Sequence, residues 1–169
     1  MRGTLTVDGV NLTTTYGVHV SGDGTYKSAK KSYNFYNIPN KNGLILASER
    51  HFDNVNIVYH CGIANNFETN IAGLRDFLMS RDGYVKISDS YHNDEYRMGI
   101  YEGPFEPEVQ PSLDAAEFNL VFNCKPQRWL NSGDTPVAIL SGSSNKITNP
   151  TKQLARPLIK VTGKVSESV

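Results

Sequence analysis

Four histidines, His19, His51, His60 and His92, are scattered along this 169-residue chain, and His92 opens an unbroken polar run of groups able to act as acid, base or metal ligand. The local sequence is His92-Asn93-Asp94-Glu95. In an extended segment alternate side chains share a side, so His92 and Asp94 can converge while Glu95 points away. No second ligand cluster accompanies them, and such a run between apolar stretches reads first as a solvated turn. Glu106 and Glu108 pair two carboxylates, but they lie in a connector broken by Pro104, Pro107 and Pro111. A general acid there lacks the apolar pocket that raises its pKa. Cys61 and Cys124 need a convergent base to act as nucleophiles; both fall in alternating apolar runs and read as buried thiols of a protein made in a reducing cytoplasm. There is no nucleophile elbow, no phosphate-binding glycine loop and no His-Glu-x-x-His. Gly22-Asp23-Gly24 lacks the third glycine and the flanking strand and helix of a dinucleotide loop. Asn11-Leu12-Thr13 is a glycosylation sequon, meaningless without secretion. These residues assign no catalytic group, no metal and no cofactor. They favour a binding or assembly module over an enzyme.

Composition narrows the class. Lys+Arg and Asp+Glu are 17 each, a net charge of zero, which disfavours a surface built for nonspecific nucleic-acid or anionic-lipid binding. No apolar run approaches the roughly 18 residues of a membrane span, and the first residues carry no apolar signal-peptide core. Gly at 14 and Asn at 16 supply tight turns, while nine Tyr and seven Phe suit half-buried pleated surfaces. The expected fold is mainly β (α+β): an antiparallel β-sandwich or curled sheet with one covering α-helix and extended hairpin arms.

The elements follow from periodicity. Residues 5–10 and 16–20 read as short strands around an Asp8-Gly9 turn. Residues 21–37 are polar and interleave Lys27, Lys30 and Lys31 with Tyr26, Tyr33, Phe35 and Tyr36. That pattern can serve a nucleic-acid platform, but neutral charge favours a mobile loop or polar hairpin arm with aromatic anchors. Asn42-Gly43 between apolar runs predicts a two-residue hairpin turn. Val55, Ile57, Tyr59 and Cys61 alternate as a strand. A helix capped by Thr69 or Asn70 presents Ile71, Leu74, Phe77 and Leu78, with Arg81 in its last turn and Gly83 past its end. Strands follow at 84–87 and 96–101, then the proline connector. The clearest strand has Ala116, Phe118, Leu120, Phe122 and Cys124 facing inward. From 131 to 153 the composition shifts to Ser, Gly, Asn, Thr and Pro around the apolar run 137–140, residues 141–144 are linker-like, and residues 157–163 read as one more strand.

In order along the chain, several motifs resemble the distal tail protein of bacteriophages with long non-contractile tails. Val7-Asp8-Gly9-Val10 and Tyr16-Gly17-Val18 resemble its opening strands, and Pro39, Lys41 and Asn42-Gly43 its proline, basic residue and turn. Residues 74–78, Gly83-Tyr84 and the stretch from Asp89 to Tyr96-Arg97 are similar to its helix–strand–turn–strand block. Residues 118–122 followed by Lys125-Pro126-Gln127-Arg128 resemble its most recognisable stretch. Asn149-Pro150 with Pro157 through Gly163 resembles the start of its second domain.

The resemblance implies a ring-forming domain over residues 1–148, then a linker and the first strand of a missing or truncated galectin-like domain over 149–169. It implies a homo-hexameric ring in the tail tip or baseplate, joining the tail tube protein to the tip hub protein and leaving a channel through which DNA passes. A receptor-binding protein is a further implied partner, and no membrane is involved. The protein would reside in the virion tail after synthesis in the host cytoplasm, with a neutral or acidic lumen. The motif residues would then serve structure and assembly. A second reading is a carbohydrate-binding β-sandwich module used in adhesion; Trp129, following Arg128, is expected to pack rather than to present itself to a sugar.

Overall fold

A computed structural model describes residues 3–139, 144 and 146–162. The chain divides into two compact units, Met1–Thr135 and Pro136–Val169. The first is built on a curled antiparallel sheet of nine strands: β1 (Leu5–Val7), β2 (Val10–Asn11), β3 (Val18–Ser21), β6 (Val55–Ala64), β7 (Val85–Asp89), β8 (Glu95–Tyr101), β9 (Glu108–Gln110), β10 (Ala115–Cys124) and β11 (Trp129–Leu130). The main path runs β2-β1-β7-β8-β10-β6-β3, with β11 added to β8 and β9 to β10. Two strands, β4 (Lys31–Asn37) and β5 (Leu44–Phe52), form a separate hairpin. Two helices, α1 (Leu12–Tyr16) and α2 (Phe67–Met79), complete the unit.

The longest pairing is β6 with β10, ten consecutive residue pairs from Ala115↔Ala64 to Cys124↔Val55. Strict alternation in both strands sends Ile57, Tyr59, Cys61, Phe118, Leu120 and Phe122 to one side, and the sheet curls around them. Leu74 and Leu78 of α2 join the same buried cluster, as do Leu12, Val18 and Ile87. The strands expected from alternation and the covering helix are thus present.

The curl is nearly a closed barrel. At the free edges, Gly3 and Val20 exchange backbone hydrogen bonds of 2.9 and 3.1 Å, so β1's lead-in meets β3. Tyr91 lies across this seam with its hydroxyl donating to Val20 O at 3.0 Å. A Cβ on Gly3 would fall 2.4 Å from the Tyr91 ring, and one on Gly22 2.8 Å, so the seam closes only because both positions lack side chains.

Several local expectations are corrected. Residues 12–16 form α1: Asn11 of the sequon is its cap, accepting from Thr13 N and Thr14 N, and Gly17 ends it in the left-handed region. The main helix begins at Phe67 and not at Thr69 or Asn70. The Asp114 carboxylate, 47 to 48 residues away, caps it by accepting from Asn66 N and Phe67 N. Arg81 lies beyond the helix, its guanidinium over the Phe77 ring and 2.9 Å from Asp8. The proline connector contains β9, whose three residues pair with Ala115 to Glu117. Asn42-Gly43 does not make a two-residue turn. Asn37 pairs with Leu44, so the loop spans 38–43, with its own turn closed by Lys41 N to Ile38 O.

In the second unit, the described residues 157–162 belong to no strand, because an extended segment becomes one only with a partner to bond. Leu140, residues 141–143, Gly163 and residues 164–169, which figured in the linker and strand readings, lie outside the described residues. No helix among the described residues is long and apolar enough to cross a membrane.

The two thiols give the core a measurable signature. Burial pushes Cys61 up to about 12 and Cys124 up to about 11, from an ordinary 9.0. The folded chain therefore holds protons that the unfolded chain releases. The resulting stability is fully present below pH 9 and is lost as pH climbs towards 11 and 12. Denaturant unfolding followed from pH 8 to 10.5 should show stability falling above pH 9, each thiol contributing up to about 1.4 kcal/mol per pH unit. Replacing both cysteines by alanine should remove that part of the slope; an unchanged slope would place the thiols in contact with water.

Candidate assembly site

Asp89, His92, Glu95, Arg97 and Arg128 gather at one corner of the barrel, where residues 22–30 leave β3 and run into the hairpin. This segment is pinned along its length. Gly24 lies so close to β6 that a Cβ there would sit 2.0 Å from the Val58 carbonyl oxygen. Thr25 is buried, and its amide and hydroxyl both donate to Gly22 O, at 3.1 and 2.7 Å. Two arginines hold the next carbonyls: Arg128 donates to Thr25 O at 2.9 Å, and Arg97 to Lys27 O at 2.8 Å.

Arg97 projects from the inward face of β8 and is only 7% exposed. Burial first, and then the charge of Arg128, draw its pKa down. A guanidinium in such a place needs acceptors, which the loop carbonyl supplies. Arg128 also pairs with Glu95 at 3.0 Å. Alongside, the largely buried Asp89 carboxylate accepts from Tyr59 Oη (2.9 Å), Tyr91 N (2.9 Å), His92 N (3.1 Å) and His92 Nδ1 (3.0 Å). Burial, followed by the Asp89 charge, pushes the Tyr59 phenol far above its usual range, so it stays a donor. These side chains line a cavity of about 10 Å³, the size that holds one water molecule, and Arg97 Nη1 and His92 Nε2 find no hydrogen-bond partner among the described residues.

The polar cluster at 92–95 resolves differently from its sequence reading. His92 bonds to Asp89 and not to Asp94, because the Asp89–His92 turn folds the ring back, while Glu95 turns to Arg128. No group of three or more His, Cys, Asp or Glu converges on a metal position among the described residues.

The motif residues fall in three places. Tyr96, Arg97 and Arg128 line the small cavity at the anchored corner, and Lys125, Pro126 and Gln127 lie in the stretch between β10 and β11. Tyr96 stacks on Trp129 with ring centres 5.9 Å apart, and its hydroxyl donates to Asp134 at 2.8 Å. Lys86 lies over the Tyr96 ring and reaches Asp134 at 2.9 Å; these bonds hold the Asp134 carboxyl below its usual range. Lys125 N donates to Met98 O at 2.8 Å, and its ammonium lies over the Tyr84 ring. Pro39, Asn42 and Gly43 sit in the hairpin loop. Asn149, Pro150 and Pro157 belong to the second unit, where Asn149 accepts from Thr151 N at 2.9 Å, and Gly163 is outside the described residues.

The anchored segment delivers the chain into the hairpin, an arm rather than the mobile loop that its polarity also allowed. The arm is not polar. Phe35 pairs with Leu46 and Asn37 with Leu44, so Tyr33, Phe35, Leu44 and Leu46 share one face, and all four are exposed. Tyr36 and Ile45 occupy the other face, beside Glu49, whose carboxyl is held below its usual range by hydrogen bonds from Ser32 and Asn34. The alternating aromatics of β4 carried the signal for this face. Arg97 and Arg128 stood out as motif residues, but their anchoring role carried no signal, since each acceptor is a backbone carbonyl 70 or more residues away.

No protein-family model and no curated protein sequence matches the chain. A solved structure does: the SPP1 Dit (gp 19.1) protein, described as a paradigm of the hub adsorption apparatus in Gram-positive-infecting phages, aligns with a TM-score of 0.62 at 20% sequence identity. The match covers 75% of this chain and 51% of that one, so this chain spans about half the length of the protein it resembles. What the two share is the fold.

Proposed function

We propose that this chain is a structural subunit of a phage tail tip, a distal-tail-type protein whose barrel assembles sixfold into a ring. The ring would join the last tail tube subunits to the tip hub, leave a channel for DNA and become part of the virion after assembly in the host cytoplasm. Residues 149–169 would lead into a further domain that positions receptor-binding parts. The observation that carries this reading is the fold shared with SPP1 Dit.

The arm supports it physically. A lone two-stranded hairpin is marginal in water, and an exposed apolar face on one is an interaction surface. Packing against the next protomer would bury Tyr33, Phe35, Leu44 and Leu46, and the anchored segment 22–30 would fix the angle at which they arrive. A net charge of zero lets six copies pack without long-range repulsion. The reading assigns the protein no reaction.

Light scattering over a concentration series, with negative-stain images of the same sample, tests the proposal. The expected species has six times the 18.8 kDa chain mass and a central hole. A monomer at every concentration, with and without tail tube and hub proteins, would overturn it.

A further inference from the structure

Beyond assembly, the anchored corner carries an open groove of about 430 Å³ lined by Ser21, Gly22, Asp23, Tyr26 and Tyr91. We propose that this groove is a binding site for a neutral saccharide, a short hexose or N-acetylhexosamine chain. The inference stands whether or not the ring forms.

Tyr26 is 69% exposed although the backbone on both sides of it is pinned. The carbonyls on either side of it, at Thr25 and Lys27, are the ones bound by Arg128 and Arg97. Its ring is steadied on one side by His92, with ring centres 4.8 Å apart. An aromatic face offered to solvent from a fixed backbone is a binding element whose ordering cost is already met by the fold. Tyr91 forms a second rigid wall, held by its hydroxyl at Val20 O and wedged between Gly3 and Gly22.

The polar groups define the ligand class. Asp23 makes no hydrogen bond or ion pair among the described residues, and the Ser21 hydroxyl has no partner among them. A carboxylate accepts two hydroxyl donors at once, and a hydroxyl gives and takes one each. Tyrosine rings take the C–H face of a pyranose, which is apolar, while its edge of hydroxyls reaches the carboxylate. Among the described residues the lining is two tyrosine rings with small or polar neighbours, and no aliphatic pocket seats a branched apolar side chain. Asp23 is the one carboxylate among them, too few for a divalent cation, and its charge disfavours anionic sugars.

Saturation-transfer NMR and titration calorimetry on the full chain, with chitotetraose and maltotetraose as probes, test this. One of the two should bind with a dissociation constant of about 0.1–1 mM, typical of a shallow site. Tyr26→Ala and Asp23→Asn should each weaken binding about tenfold or more at unchanged thermal stability, while Lys41→Ala in the arm loop should leave it unchanged. No transfer to either sugar at about 10 mM, or affinity that survives Tyr26→Ala, would overturn the proposal. Light scattering on the same samples reports the ring separately.

Discussion

Replacing Phe122 with alanine is expected to cost about 3–5 kcal/mol of folding stability, the largest loss for any single substitution considered. Phe122 is fully buried in β10, paired with Ile57 on one side and Tyr101 on the other. Its ring meets Tyr59 edge-on at 6.0 Å and Tyr101 at 5.7 Å between centres. Both neighbours are held by hydrogen bonds, Tyr59 to Asp89 and Tyr101 to Pro104 O, so neither can collapse freely into the hole. The cost should therefore combine lost transfer energy with a persisting cavity. Urea unfolding measures it, and a loss below about 1 kcal/mol would mean that the ring is not central to the core.

The arm should respond in the opposite way. Phe35 and Leu46 face each other across β4 and β5 and are 62% and 54% exposed, so replacing both with serine removes little from the folded monomer. If the arm packs on a neighbouring protomer, the same change removes apolar burial worth about 2–3 kcal/mol per contact, weakening each contact about 30- to 150-fold. The expected result is an unaltered melting temperature for the monomer together with loss of the ring in light scattering. A ring that persists at the same concentrations would place the protomer contacts elsewhere.

The two predictions mark what could be read in advance. β6 and β10 announce themselves because each alternates without a break for ten residues and is covered on one face only. The helix is legible from its apolar spacing, but its start is not: the capping carboxylate comes from Asp114, and the cap residue Asn66 adopts a left-handed conformation. The short helix at 12–16 contains three threonines, poor helix formers, and owes its existence to Asn11 and Gly17 at its ends. Arg97 carries a charge, which gives no sign in the sequence that it is buried. It turns inward because Lys27 O awaits it, a fact held only in the tertiary structure. The corner motifs were visible as a set, but the carbonyls they hold were not.

Closure of the barrel has a consequence for how the chain is made. Leu5 must pair with Asp89 and Val7 with Ile87, yet β1 leaves the ribosome 80 to 84 residues before its partner. At synthesis rates of about 5–20 residues per second, the opening strand waits roughly 4–17 s with a bare edge. During that wait the hairpin of β4 and β5 emerges complete and can zip up locally, because its strands are joined by six residues. The exposed apolar face of the arm is thus ready before the barrel that carries it has shut. If the arm is the protomer contact proposed above, nascent chains emerging side by side would meet first through it, and the timing of synthesis would set the moment at which association must be held in check.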